Sequence, residues 1–446
     1  MDRTQELGHA PVGRLLWKYF LPAIVGVMAN TLYNIVDRIY IGRGVGALAL
    51  SGLSVTFPIM IVCMAFGMLV GMGAASLVSI RLGQQNKPEA ERILGNAFTL
   101  LAVISLAVTI LGLMARDWVL SIFGAGPETL GYARKYITII LLGNVFQGLG
   151  FGMNNLIRAE GHAKVAMYTM VIGALANILL DPLFIFVFRM GVAGAAVATV
   201  ISMALTSIWV FMHFTGSRPG LKIRAANLHL ERKIVQGIFS IGMAPFAMQL
   251  SGSVINALFN IQLIKYGGDL AVGAMGIINS VAMMVVFCVI AINMASQPII
   301  GFNYGARQFG RVKRALKLAV ISATAITTAG WLAVELFPGA IITLFNNSDP
   351  GLLEIGTRGM RILLAAFPVV GFQVVGGNFF QAIGKAKIAM FLNLLRQVII
   401  LIPMVLILPP IFKIDGVWLA GPIADLTAAA VTAAMISREV KRLNRA

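Results

Sequence analysis

Four polar side chains inside otherwise apolar stretches carry the chemistry this sequence offers. Asp37 closes LYNIVD (32–37), Asn177 and Asp181 lie in ANILLD (176–181), and Thr199 ends GAAVAT (194–199). Asn177 and Asp181 are four residues apart, so on a helix they stand one turn apart on one face. A carboxamide, two carboxylates and a hydroxyl are oxygen ligands of the kind a hard cation such as Na⁺ takes. Two neighbouring acids can equally share a proton, because like charges at close range resist joint ionisation. Asn177 and Thr199 also have a plainer reading, in which they only satisfy local backbone or each other. Asp425, in GPIADLTAAA, is a third acid within an apolar stretch, and helix packing accounts for it as well as function does. Glu335 falls near the end of such a stretch.

The elements that position these groups are membrane spans. Of 446 residues, 59% are hydrophobic and 12% charged, about half the charge of an ordinary soluble domain. Runs such as VTFPIMIVCMAFGMLVGMGAASLVSI (55–80) are long enough to cross about 30 Å of hydrocarbon. This composition excludes one large soluble core and points to an all-α polytopic membrane protein. In that setting an ionised acid at mid-span costs about +2.5 to +3.5 kcal/mol, so Asp37 and Asp181 need a partner or a task.

The net charge of +18 does not indicate nucleic acid, because the basic residues sit in short breaks between spans, where they set topology. Cys63 and Cys288, each within an apolar run, read as small buried hydrophobes. His9, His162, His213 and His229 fall at span ends or in breaks and show no metal-ligand spacing. No GxxxxGK[ST] stretch is present, which argues against an internal ATPase. No cofactor and no catalytic residue is expected. The start, MDRTQELGHAPVGRLLWKY, runs into the first span without a small-residue processing site, so no cleaved signal peptide is expected.

Cutting at charged and Pro/Gly-rich breaks gives twelve spans: 15–40, 46–80, 93–113, 130–158, 164–188, 191–214, 235–263, 269–302, 315–337, 357–382, 387–410 and 416–438. RLGQQNKPEAER, RAEGHAK, YGARQFGRVKR, GKAK, the segment GSRPGLKIRAANLHLERK (216–233) and the tail SREVKRLNRA are basic, and all fall on one side. This bias places both termini in the cytoplasm. Arg134 and Lys135, at the outer end of the fourth span, run against it.

The chain also repeats itself. LPAIVGVMANTLYNIVD (21–37) aligns with APFAMQLSGSVINALFN (244–260) at an offset of 223, and GHAKVAM (161–167) with GKAKIAM (384–390). LSIFGAG (120–126) matches ITLFNNS (342–348), one residue off that register. Six spans per half is an even number, so both halves enter from the same side. The expected architecture is a lobe of residues 1–214, a cytoplasmic linker 215–234 and a lobe 235–446, related by a pseudo-two-fold axis along the membrane normal. At this offset Asp37 meets Asn260 and Asp181 meets Met404, so this pair of acids belongs to the first lobe alone.

LPAIVGVMANTLYNIVDRIYIG, the RLGQ break, and NILLDPLFIF followed by GVAGAAVAT together resemble the multidrug and toxic compound extrusion (MATE) family. The similarity runs from about Pro22 to the last span, on the bacterial branch of DNA-damage-inducible and multidrug-export proteins. It implies a secondary active transporter in the bacterial inner membrane, exchanging H⁺ or Na⁺ for lipophilic cations. It also implies a cation-coupling site at Asp37, Asn177, Asp181 and Thr199. Some relatives place acids in the seventh and tenth spans. Here those spans offer Gln249, Asn256, Asn260, Gln373 and Asn378, which favours proton coupling in the first lobe. A monomer surrounded by membrane lipids is expected, with no nucleic-acid partner. The alternative, a flippase for lipid-linked saccharides of the same superfamily, calls for fixed cations at mid-span, and none stands out in the sequence.

Overall fold

A computed structural model describes residues 3–216, 220–345 and 349–445. Residues 217–219 of the expected linker and 346–348 of ITLFNNS lie outside the described residues. All regular structure among the described residues is helical, as it must be where hydrocarbon offers the backbone no hydrogen bonds. In order come α1 (Arg3–His9), α2 (Val12–Gly44), α3 (Ala47–Gly83), α4 (Lys87–Ile122), α5 (Pro127–Ala159) and α6 (Ala163–Pro182). A π-helical turn (Leu183–Val187) extends α6 and leads to α7 (Val192–Thr215). Then follow α8 (Arg232–Gly305), α9 (Phe309–Leu336), α10 (Pro338–Phe345), α11 (Pro350–Leu363) and α12 (Phe367–Ala382). The last run is α13 (Ala386–Leu394), a π-helical segment (Leu395–Leu401) and α14 (Ile402–Leu443).

Nine described helical runs are long and apolar enough to cross a membrane, or ten if α11 and α12, bent by 48°, act as one. The protein is thus a multi-pass membrane protein. Helices overrun the apolar stretches that announced them: the span expected at 93–113 is α4, Lys87–Ile122. The cap decides its start, because the Asn86 side chain accepts from the Glu89 N–H at 3.2 Å and Pro88 suits the first turn.

Two runs are far longer than a bilayer. A straight helix of 74 residues, the length of α8, would extend about 110 Å. α8 is broken at Gly268 (φ 68°, ψ −168°), and the final run at Lys413 (φ 54°, ψ −133°). Each break has a counterpart 222 residues earlier: Gly46 before α3 (φ 116°, ψ 177°) and Gly191 before α7 (φ 57°, ψ −133°).

Helix ends recur in the same way. The Asn86 N–H reaches the Arg81 carbonyl and the Gln308 N–H the Asn303 carbonyl, both at 2.9 Å. Gln85 and Arg307 take the left-handed position in these turns (φ 60° and 56°). The His162 N–H to Ile157 bond (3.0 Å) and the Lys385 N–H to Phe380 bond (2.8 Å) form a second such pair. This closure satisfies carbonyls that a helix end would otherwise leave unbonded.

The two halves of the chain meet backbone to backbone along α3 and α8. A Cβ on Gly83 would collide with the Phe302 carbonyl, and one on Gly305 with the Ile80 carbonyl. Gly73 and Gly242 make similar approaches, to Ile238 and Leu69. Small residues are what permit helices to pack this closely in a membrane. Both cysteines are free; Cys63 is buried as expected, but Cys288 is only partly covered.

Candidate functional site

α2 carries Asp37 about two turns before its C-terminal end, and α6 carries Asn177 and Asp181 in its last turns. Directly after Asp181, Pro182 removes a backbone donor, and the helix widens into the π-helical turn. Such π segments are frequent at functional sites. The helices close on that turn because their contact residues are small. A Cβ on Gly44 of α2 would lie 2.7 Å from Ile185 and Phe186, and one on Gly194 of α7 would lie 2.7 Å from the Phe184 carbonyl. Ala195, Ala196 and Ala198 are fully buried beside it. The alanine-rich face of α7 is thus what lets Thr199 approach α6.

All four residues come together, and all are buried, Asp181 completely. The Asn177 amide donates to Thr199 Oγ1 at 3.2 Å and, at 3.4 Å, to Asp181 Oδ1. The Asp37 and Asp181 carboxyls adjoin each other. Asn177 and Thr199 do satisfy each other, as the plainer reading held. Even so, Asp37 Oδ1, Asn177 Oδ1 and Asp181 Oδ2 are buried without a hydrogen-bond partner. Leaving buried polar atoms unbonded is costly, and three in one cluster describe a place for a proton or a cation.

Two tyrosines complete the surroundings. Tyr136, from α5, stands beside Thr199 and both acids, and Tyr33 lies beside both acids. Tyr33 precedes Asp37 by one helical turn, a spacing visible in the sequence. Tyr136 is 99 positions beyond Asp37 and nothing in the spacing marks it.

The second half is built differently. Asn260 and Asn256 are exposed, while Gln373 is buried with an unbonded Oε1. Asp425 is not free: the guanidinium of Arg396, in the π-helical segment, donates to its Oδ1. Arg396 lies mid-span in FLNLLRQVII, which corrects the expectation of no mid-span cation. Its charge is matched by a carboxylate, so it is not the unpaired cation a pyrophosphate carrier needs. Glu335, at the end of α9, lies 3.6 Å from Arg361. The histidines need correcting as well, since His162 and His213 converge on Glu160 in the folded chain.

Comparison with known proteins agrees with this architecture. The family MatE matches twice, over residues 22–183 and 245–407. "Multidrug export protein MepA" of Staphylococcus haemolyticus (strain JCSC1435) is 26% identical over 409 residues, covering 92% of this chain and 90% of that protein. The Staphylococcus aureus (strain N315) protein of that name is also 26% identical, over 410 residues, with the same coverage. Among solved structures, the MATE multidrug transporter DinF-BH superposes with a TM-score of 0.88 at 37% identity, covering 95% of each chain. A MATE transporter in the bent conformation superposes at 0.93 with 25% identity, covering 100% of this chain and 99% of that one. The match in both halves, with coverage of nearly the whole chain, establishes that this multi-pass bacterial membrane protein belongs to the MatE family and is a secondary active multidrug efflux transporter, not an enzyme.

Proposed function

We propose that this transporter exports lipophilic, amphipathic cations in exchange for protons taken up at Asp37 and Asp181. One observation carries the reading: two buried carboxyls adjoin each other, and each has an oxygen without a hydrogen-bond partner. Ionised carboxylates are acceptors only, so two of them bond each other only with a proton between. Removing that proton leaves like charges in contact in a water-poor site, and the helices carrying them, α2 and α6, then favour separation. Protonation and deprotonation therefore stabilise different arrangements. Alternating access requires this, because an ion bound equally well in both states shifts nothing. Asn177 and Thr199 hold the acids in place through the amide that joins them. Substrate class follows from an apolar protein with intramembrane acids and from relatives described as multidrug exporters.

The same cluster supports a second reading. Its three unbonded oxygens and Thr199 Oγ1 match the ligand type of Na⁺. Proteoliposomes loaded with a lipophilic cationic dye separate the two when driven by a pH gradient alone, then by a Na⁺ gradient alone. Export driven by the pH gradient is expected. Export only with Na⁺ would transfer the role to Na⁺ at the same residues. Movement of anionic lipid-linked saccharides with cationic dyes ignored would mean a flippase.

The finer architecture we infer is twelve spans in two six-helix lobes, 1–214 and 235–446, joined by a linker 215–234. Treating the breaks at Gly268 and Lys413 as turns, and α11 with α12 as one span, gives that number. The repeated turn geometries and the double family match at nearly the same offset support a pseudo-two-fold axis along the membrane normal. The charge bias supports cytoplasmic termini and residence in the inner membrane. Both lobes lie in one polypeptide, so a monomer suffices. Side chains such as Leu111, Met114 and Trp118, exposed at 65–81%, would face lipid.

A further inference from the structure

We propose that Glu160, His162 and His213 form a binding site for a divalent transition-metal ion, Zn²⁺ fitting best. Two of the residues come from the α5–α6 turn and one from the end of α7, which meet at one end of the bundle. Glu160 follows α5, His162 immediately precedes α6, and His213 stands in the last turn of α7. Their side chains are 2%, 13% and 7% exposed. One ligand atom from each lies within 4.8 Å of the others.

Glu160 is the centre. Its Oε1 accepts from the Leu221 N–H at 2.5 Å, which fixes the carboxylate. Its Oε2 lies 3.1 Å from His213 Nε2 and 3.8 Å from His162 Nδ1. Ligands about 2.0–2.1 Å from a tetrahedral Zn²⁺ stand about 3.3 Å apart, so these separations bracket the required geometry. A metal would take the place now held by the His213–Glu160 hydrogen bond. It would leave a fourth position open to water.

Charge supports the same assignment. Among the described residues, no lysine or arginine forms an ion pair with Glu160, although its side chain is almost fully buried. The nearby cations are engaged elsewhere: Lys222 donates to the Gly216 carbonyl, and Arg158 donates to Asn155 Oδ1 at 2.7 Å. A buried carboxylate needs a countercharge, and here only a protonated imidazole or a metal ion can supply one. Two imidazoles and one carboxylate suit Zn²⁺ or Co²⁺, whereas Mg²⁺ and Ca²⁺ prefer all-oxygen sites. The Leu221 N–H acts as an outer partner that orients the ligand. An ion there would staple the α5–α6 turn to the end of α7 and, through Leu221, to the segment that leads into the second half.

The test uses the full chain without a polyhistidine tag, stripped with a chelator and titrated with Co²⁺ and Zn²⁺ in detergent. Visible absorption of tetrahedral Co²⁺ and elemental analysis for zinc serve as readouts. The expected result is about one ion per chain, bound at least about tenfold more weakly in His162→Asn and in His213→Gln. His9→Gln and His229→Gln should leave binding unchanged. Glu160→Gln also loses the carboxylate that holds Leu221, so the two histidine variants, checked for monodispersity, carry the test. Wild type that binds no more metal than the His162→Asn/His213→Gln double variant, or binding that depends on His9 or His229, would overturn the proposal.

Discussion

Ser79 and Gly301 occupy equivalent positions in the two halves of the chain, and they touch each other. A Cβ on Gly301 would lie 2.8 Å from that of Ser79. Under the two-lobe architecture proposed above, a residue in contact with its own counterpart is what a two-fold axis would produce, as at the centre of an isologous dimer. The flanking contacts are reciprocal in the same sense, with Gly83 against Phe302 and Gly305 against Ile80.

Bulk at this crossing should therefore act on both halves together. Gly83→Leu and Gly305→Leu each force side-chain atoms against a backbone carbonyl, and overpacking of this kind costs about 1–3 kcal/mol. Each variant is expected to lower the thermal midpoint in detergent and to slow export. The double variant should fall short of the sum, because both substitutions part the same pair of helices. Light-scattering or fluorescence melts, with dye efflux alongside, check this; full additivity would mean the two contacts are independent.

Asp37→Asn and Asp181→Asn are each expected to abolish gradient-driven export while leaving insertion in the membrane intact. Asparagine keeps the size of the acid and removes its titration. Asn177→Ala and Thr199→Ala should weaken export less, because they remove neutral groups. Proteoliposome efflux under an imposed pH gradient, with protein amount measured in the same vesicles, separates lost coupling from lost protein. Normal gradient-dependent export by well-folded Asp37→Asn would remove Asp37 from the mechanism.

Tyr136→Phe deletes the hydroxyl beside Thr199 and the acids and leaves the ring in place. A neutral polar group at hydrogen-bonding strength contributes about 1 kcal/mol net, so apparent affinity for the coupling ion should change about fivefold. The expected reading is a displaced pH midpoint of export at an unaltered maximal rate. A lowered maximal rate with an unmoved midpoint would assign Tyr136 to packing alone.

Arg396→Gln strands the Asp425 carboxylate without its partner. Removing one member of a buried pair costs about 3–5 kcal/mol. With Arg396 29% exposed, the low end, about 3 kcal/mol, is expected. The Arg396→Gln/Asp425→Asn double variant should regain most of the lost thermal stability. Failure of that rescue would show that Arg396 acts through contacts other than Asp425.

Legibility from sequence followed the range of the interaction. Asn177 and Asp181 are visible because a helix places residues four apart on one face, and Asp37 because an acid in an apolar run is conspicuous. Tyr33, one turn before Asp37, was equally accessible to that spacing but draws no notice beside the acid. Tyr136 and the Glu160–His213 contact join helices far apart in sequence, and no local periodicity encodes them. Arg396 reads locally as a lone charge in an apolar stretch, since its partner Asp425 lies 29 residues on, across a break at Lys413. Span boundaries came out short wherever capping, not hydropathy, ends a helix, as Asn86 does for α4.

At the crossing of α3 and α8, glycines meet carbonyls directly, at Gly73, Gly83, Gly242 and Gly305. At those points no side chain stands between the backbones, so a tilt there has little side-chain interlock to undo. Its reciprocity adds a further property: a movement of one half strains the same contacts as the equivalent movement of the other. The joint itself then does not tell the two halves apart, and any difference between them must come from a part of the molecule present in only one. Asp37 and Asp181 are such a part, so under the coupling proposed above a proton there acts on one half and leaves the other to follow.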